Sequence, residues 1–337
     1  MNDSGAISGS PTVSVVFTSW NCRSRLPLVV AGIEAQAVPG MEVIAIDDGS
    51  SDGSVEWLLA KSRTASWLSV IETCGIGPNA ARNRGIAAAR APLVAFLDAT
   101  DVWLPGKLAA QIAFHLADPE VTFSFTDCAQ VDGRGKIRGT LFERWPAFRR
   151  VATQGASAGY RRLDRAPARL LAEGMVATST VVARRDRVVQ LAGFDESLRF
   201  AVDRDLWLRL ARTGPVGFAS ACGVRHRPPP TGAAGEARFR IACMRRLLAV
   251  HAPAVVVEPG GAAAVRRARA HILAAEADLA RAEGRHRAAA MARFGALRRL
   301  PSACLAVALG RDLASAFAHR FLSVPVPANG FSVGGRG

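Results

Sequence analysis

Lysine, tyrosine and paired cysteines are scarce in this chain. Of its 43 basic residues only Lys61, Lys107 and Lys136 are lysines, and Tyr160 is the single tyrosine. Few aromatic surfaces are therefore available to stack bases. With no helix-turn-helix signature, zinc motif or basic–aromatic platform, a nucleic-acid partner would rest on charge alone and is not expected. Cys22, Cys74, Cys128, Cys222, Cys243 and Cys304 are scattered and form no CxxC pair. That spacing excludes a disulfide framework or a zinc site and fits a reducing compartment. No apolar run approaches the ~20 residues that span a bilayer. The opening MNDSGAISGSPT has neither a basic start nor an apolar core, so no signal peptide and a cytoplasmic location are expected.

What is present is a globular composition. The 337 residues are 50% hydrophobic and 21% charged, enough for a sizeable core and roughly two domains. The net charge of +15 favours anionic partners: nucleotide phosphates, anionic lipid headgroups or nucleic acid.

The segment Val43–Ser54, VIAIDDGSSDGS, carries the most information. Val43 to Ile46 is a short apolar run suited to a buried parallel strand. Asp47 and Asp48 stand at its C-terminal end, where open α/β sheets bind ligands. Gly49 permits the turn, and Asp52 is placed to cap the next helix. The carboxylates can accept hydrogen bonds from a base or ribose, or serve only as caps.

Strands and helices alternate around it. Strands are expected at Thr12–Thr18, at the run ending in Asp47–Asp48, at Leu68–Glu72 and at Leu93–Leu97. Helices are expected at Leu26–Gln36, up to Leu59, at Asn79–Ala89, and from near Pro105. This series predicts an α/β fold with a parallel sheet and helices on both faces. From Val121 the pattern loosens. Val121–Thr126 and Thr178–Ala183 read as strands, with long loops between them, and Asp203–Arg212 reads as a helix. RPPPTGAAG then breaks regular structure and marks a domain boundary. Beyond about Glu236 the chain is rich in Ala and Arg with helical periodicity, giving helices at Val265–Glu283, Arg287–Leu300 and on to Leu322. The expected organisation is a disordered 1–10, an α/β domain over 11–230, a helical extension over 231–324 and a flexible tail over 325–337.

Asp48, Asp98, Asp101 and Asp203 fall at strand ends or loop edges, accompanied by ARNRG (Ala81–Gly85) and VRHR (Val224–Arg227). Acids at successive strand ends converge on one crevice. Paired carboxylates with a divalent cation hold a diphosphate, and Arg or His stabilises charge on a leaving phosphate. Five blocks occur in order: SVVFTSWN, IDDGSSDGS, ARNRGIAAA, FLDATDVWLP and GFDESLRFAVDRDLWLRLA. Together they resemble a family 2 glycosyltransferase over roughly Pro11–Arg227. The resemblance implies a GT-A fold, with a mostly parallel central sheet flanked by helices, followed here by a C-terminal α-helical extension.

By that resemblance, Thr18 to Asn21 lie beside the nucleotide, and Asp48 contacts the base with Asp47 in support. Arg82 and Asn83 line the nucleotide–sugar pocket, and His226 lies near the diphosphate. Asp98 opens the metal-binding DxD element, with Thr100 and Asp101 as further ligands to Mn or Mg. Asp203 is the catalytic base and Trp207 lines the acceptor side. The implied reaction is inverting transfer from a nucleoside-diphosphate sugar to a glycan or lipid-linked hydroxyl acceptor. Family members commonly read DADD where this chain has Asp98-Ala99-Thr100-Asp101, and Val202 replaces a common Glu. The second reading is accordingly a catalytically weak nucleotide-sugar or glycan-binding relative acting as a partner subunit. The Arg-rich helices suit padding of the core, a homodimer contact or an anionic membrane surface.

Overall fold

The computed structural model describes residues 10–132, 134–153, 159–198, 202–227 and 234–322. Two compact units are present. One comprises Met1–Thr231 with Arg246–Val265, the other Gly232–Arg245 with Arg266–Gly337. The predicted boundary segment RPPPTGAAG lies mostly outside the described residues, as do the expected terminal segments, apart from Ser10.

The first unit is built on a ten-stranded sheet in the order β3-β2-β1-β4-β9-β6-β10-β5, with β7 beside β6 and β8 beside β10. Its first half follows the sequence reading closely: β1 (Val13–Ser19), α1 (Leu26–Glu34), β2 (Met41–Asp48), α2 (Ser54–Ser62), β3 (Leu68–Thr73), α3 (Pro78–Ala88) and β4 (Leu93–Asp98). These four strands are all parallel. Their register sets Thr18 opposite both Ile46 and Asp98, and Asp48 opposite Thr73, so the acids share one sheet edge.

The second half is mixed. It runs β5 (Val102–Trp103), α4 (Lys107–Ala117), β6 (Phe123–Val131), β7 (Ile137–Thr140), α5 (Pro146–Thr153), β8 (Arg161–Arg162), α6 (Ala166–Ala172), β9 (Val182–Arg184), α7 (Arg185–Gln190), α8 (Val202–Ala211) and β10 (Val216–His226). Two expectations are corrected here. The region between Val121 and Ala183 is not long loops, because short strands and helices fill most of its described part. Thr178–Ala183 is not one strand: Thr178–Thr180 forms a 3₁₀ turn and only then does β9 begin. The helix expected from near Pro105 begins at Lys107, as α4. β9 lies antiparallel between β4 and β6.

Both sheet faces are buried, which explains the near-continuous apolar runs of β1, β2 and β4. Val13, Val15, Phe17, Val43 and Ala45 pack with Leu26, Val29, Ile33 and Leu58 of α1 and α2. On the other face, α3 approaches so closely that a Cβ on Gly85 would lie 2.5 Å from Val16 Cγ1 and 2.7 Å from Ile46 Cδ1. Farther along the sheet an aromatic core forms around Trp207, whose ring centroid lies 5.7 Å from Phe96, 5.4 Å from Phe123 and 5.9 Å from Phe194.

Two helices and part of a third lie wholly or mainly in the second unit: α10 (Gly261–Ala282), α11 (His286–Arg299) and α12 (Ala303–Leu322). Before them comes α9 (Ala234–Val255), whose residues are divided between the units and which has Pro253 inside it. In the second unit the buried Arg293 bridges Asp278 and Asp312, and Arg281 also reaches Asp312 at 2.6 Å. Among the described residues no helix is long and apolar enough to cross a membrane.

The Gly85 contact generates a test of the packing that carries Arg82. Gly85→Ala overpacks a close-packed seam and is expected to destabilise the protein by about 1–3 kcal/mol. Urea denaturation should show a lower midpoint at unchanged slope; an unchanged midpoint would mean that α3 does not sit so tightly on β1 and β2.

Candidate functional site

The C-terminal edge of β1, β2 and β4 gathers Thr18, Asp47, Asp48 and Asp98, and the loop after β1 adds Asn21. Asp47 is fully buried and accepts hydrogen bonds from Ser19 Oγ (2.8 Å), Ser50 N–H (2.9 Å) and Ser50 Oγ (2.8 Å). It ties the ends of β1 and β2 together. Asp48 accepts from Thr73 Oγ1 (2.8 Å) and from the N–H groups of Ile76 and Gly77 (2.7 Å each), organising the loop before α3. Burial alone would raise its pKa, but these bonds outweigh burial and hold it below the usual carboxylate range. Asn21, at φ 47°, accepts from Ser51 N–H at 2.9 Å and so locks the loop after β1 to the turn after β2. Beside it the indole of Trp20 is 65% exposed, an aromatic surface at the strand edge that the sequence reading did not single out.

Arg82 and Asp98 form the central ion pair. Arg82 projects from α3 and its Nη2 donates to Asp98 Oδ1 at 2.6 Å, where Thr18 Oγ1 also donates at 3.1 Å. Both bonds fall on Oδ1, so Oδ2 stays available. Burial would raise Asp98, but the Arg82 charge and hydrogen bond overcome it and lower its pKa. The Arg82 guanidinium rests over the Phe194 ring, 5.5 Å from its centroid, which fixes its direction.

The 3₁₀ turn Thr178-Ser179-Thr180 joins this pair to the remaining acids. Ser179 Oγ accepts from Asp98 N–H at 3.2 Å and donates to Asp101 Oδ2 at 2.6 Å. Asp101 is 1% exposed, and its Oδ1 takes His226 Nδ1 at 2.9 Å and Arg227 N–H at 3.2 Å. Burial lowers the His226 pKa, but the Asp101 hydrogen bond and charge more than reverse this and raise it. Thr178 Oγ1 donates to Asp203 Oδ2 at 3.1 Å, and Arg204 N–H donates to Asp203 Oδ1 at 2.8 Å. Burial dominates at Asp203 and pushes its pKa up; the Arg82 charge opposes this and Asp98 adds to it. Asp203 therefore faces the Arg82–Asp98 pair electrostatically.

Other site residues from the sequence reading stand apart from this group. Trp207 is 1% exposed in the aromatic core, so it presents no face to an acceptor; the large indole is retained by packing. Asn83 spends its amide on the turn before α8, exchanging 2.9 Å hydrogen bonds with Phe194 N–H and C=O and donating to Glu196. Thr100 is exposed, and its carbonyl accepts from Arg25 Nη2 at 2.8 Å, an arginine not foreseen as a support of this loop.

A divalent cation of the Mn or Mg type takes oxygen ligands and is commonly held by one or two carboxylates plus substrate phosphates. Among the described residues no cluster of three His, Cys, Asp or Glu side chains is placed to hold a metal alone. Asp98, with Oδ2 available, fits as one protein ligand in such a shared site. Asp101 is already committed to Ser179 and His226.

The model of the family "Glycosyl transferase family 2" matches residues 14–164. The putative teichuronic acid biosynthesis glycosyltransferase TuaG of Bacillus subtilis is 34% identical over 119 residues, covering 34% of this chain and 46% of that protein. The succinoglycan biosynthesis protein ExoU of Rhizobium meliloti is 29% identical over 222 residues, 64% of this chain and 61% of that protein. The matches thus span less than two thirds of both relatives. Among solved structures, S. aureus TarS 1-349 with UDP-GlcNAc aligns at TM-score 0.59 and 15% identity over 94% of this chain and 93% of that one. The mannosyltransferase PcManGT of Pyrobaculum calidifontis with GDP-Man and Mn2+ aligns at TM-score 0.61 and 19% identity, covering 94% and 84%. These two likenesses bear on the fold. The family match takes in β1 to β8, and with them the acidic edge of β1, β2 and β4, so this stretch of the sheet-bearing unit is similar to glycosyl transferase family 2.

Proposed function

We propose that this protein transfers a sugar from a nucleoside-diphosphate sugar to a hydroxyl of a glycan or lipid-linked acceptor, with inversion, in polysaccharide or glycoconjugate synthesis. The observation that carries the reading is the turn Thr178–Thr180, which binds Asp203 through Thr178 and Asp98, the partner of Arg82, through Ser179; burial raises the pKa of Asp203 there. A carboxylate of raised pKa is a better proton acceptor than an ordinary one. Asp203 takes the proton of the acceptor hydroxyl as its oxygen attacks the anomeric carbon. Thr178 holds one oxygen of Asp203 in position meanwhile. Arg82 and His226 supply positive charge beside the departing diphosphate. A Mn or Mg ion shared between Asp98 and the diphosphate would add electrophilic charge at the leaving group.

On the nucleotide side, Asp48 is 9% exposed whereas Asp47 is 0% exposed, so Asp48 is the more accessible of the two to a base. Thr18, Asn21 and the exposed Trp20 complete that wall, with Asn83 holding the turn beneath Arg82. Asp101 acts through His226, and Thr100 leaves the usual second carboxylate position neutral. That neutral position is what favours the second reading, a binding relative of weak activity. The Arg-rich second unit suits the cytoplasmic face of an anionic membrane: Arg298 lies against Phe294, which with Met291 and Leu313 is exposed.

Three outcomes follow. Asp48→Ala should weaken UDP or GDP binding more than Asp47→Ala at equal folded fraction, as read by calorimetry; equal losses would remove the base-contact role. Asp203→Asn should lower turnover of the donor that the parent uses, found by screening UDP- and GDP-sugars for hydrolysis. The loss should be ~100- to 10,000-fold with nucleotide affinity nearly intact. Retention within a few-fold would exclude Asp203 as the base, and no hydrolysis by the parent favours the binding relative. Vesicles containing phosphatidylglycerol should sediment the full chain at low salt and release it at high salt; a chain that stays in solution at low salt has no such membrane role.

A further inference from the structure

Asp205 is buried two residues beyond Asp203 and has no part in the reaction above. Successive helix positions turn by roughly 100°, so residues 203 and 205 lie roughly 200° apart, on opposite sides of α8. On its side, Asp205 Oδ1 accepts from His251 Nε2 at 2.8 Å, and Oδ2 accepts from Arg209 Nε at 2.8 Å. His251 is 2% exposed and belongs to the same compact unit, in the part contributed by Arg246–Val265. Arg209 continues the chain of contacts. Its Nη1 donates to Leu191 C=O at 2.6 Å and its Nη2 to Gly193 C=O at 2.8 Å.

That turn is where the other flank of the site is fastened. Gly193 has φ 65°, and a Cβ there would lie 2.4 Å from Asn83 Oδ1, so glycine is required by both backbone and space. Phe194 exchanges hydrogen bonds with Asn83 and carries the Arg82 guanidinium on its ring. One continuous set of contacts therefore runs from His251 through Asp205 and Arg209 to the turn, and from the turn to Asn83 and Arg82.

We propose that His251 is a positioning residue: through Asp205 and Arg209 it fixes the rotation of α8 and the seat of the 191–194 turn, and thereby the relative placement of Asp203 and Arg82. The inference rests on the reading of Asp203 as the base. Its lever is geometric. A side-chain carboxylate lies about 5–6 Å from a helix axis, so a rotation of about 10° displaces it by about 1 Å. A misplacement of that size can cost about 100-fold in rate. Sequence position gave no hint of this, since His251 lies 87 residues beyond the end of the family match at residue 164.

The test compares the full-length parent with His251→Ala, His251→Gln and Arg209→Lys, and with Asp203→Asn as a control. Gln places an amide donor close to the position of Nε2. Turnover on the UDP- or GDP-sugar that the parent hydrolyses, UDP or GDP affinity by calorimetry, and hydrogen exchange are measured together. His251→Ala should lose about 10- to 100-fold in kcat with nucleotide affinity within twofold, and exchange should quicken at 191–194 and 203–211 but not in β1 to β4. His251→Gln should recover to within about threefold of the parent. Parental kcat in His251→Ala, or a loss that Gln does not recover, overturns the proposal. If His251→Ala does not fold, Arg209→Lys decides: it keeps charge on Asp205 but cannot bridge two carbonyls, and parental kcat in it overturns the proposal. If the parent hydrolyses no donor, exchange decides, and unchanged exchange at 191–194 and 203–211 overturns it. Retained turnover in Asp203→Asn would instead overturn the reading of the base, leaving the clamp to be judged by exchange.

Discussion

The reversal of one short strand governs the site. β9 enters the sheet antiparallel between β4 and β6, so its N-terminal side lies at the C-terminal edge of β4. The turn Thr178–Thr180 that leads into it is thereby delivered to the edge where Asp98 ends its strand. From there Thr178 reaches Asp203 and Ser179 reaches both Asp98 and Asp101. Had β9 run parallel, those hydroxyls would lie at the opposite edge, roughly 3.3 Å farther away for every residue of strand. The antiparallel insertion also allows β6 and β10 to resume parallel pairing, which returns His226 to Asp101.

The electrostatics follow from that placement. Asp98, Asp101, Asp203, Arg82 and His226 share one edge, where burial and neighbouring charges move Asp98, Asp203 and His226 from their ordinary titration ranges. Asp98 is held ionised by Arg82, while Asp203, with a hydroxyl and one backbone N–H as hydrogen-bond donors, is pushed upward by burial. Acids driven apart in this way are suited, under the proposed function, to different roles, one staying charged and the other exchanging a proton. The hydrogen bonds on Asp47 and Asp48 belong to a different task, fixing the end of β1, the turn after β2 and the loop before α3.

Most of the first half of the sheet was legible in the sequence because its elements are local. Apolar runs of four or five residues give strands and helices within a residue or two of β1 to β4, α1 and α3, while α2 runs three residues beyond its expected end at Leu59. The second half was less legible. Thr178–Ala183 has β-forming composition throughout, and only tertiary pairing decides that its first three residues turn. Trp207 sits at a helical position that suits either a core or a platform. The aromatic neighbours that settle the choice, Phe96, Phe123 and Phe194, come from three distant segments.

The sequence by itself determined the α/β alternation, the resemblance to glycosyl transferase family 2, and the positions of the acids at strand ends, because each depends on periodicity or on short ordered blocks. It also determined that Asp203 and Asp205 lie on opposite sides of one helix, which follows from 3.6 residues per turn. Only the tertiary structure decided what each of those acids meets. Arg82 finds Asp98 across 16 residues, Ser179 finds Asp101 across 78, and His226 finds Asp101 across 125. Hydrogen bonds and burial act over a few ångströms in space without regard to separation along the chain. For that reason the charge state of the site, and the clamp that orients it, were settled only when the chain was folded.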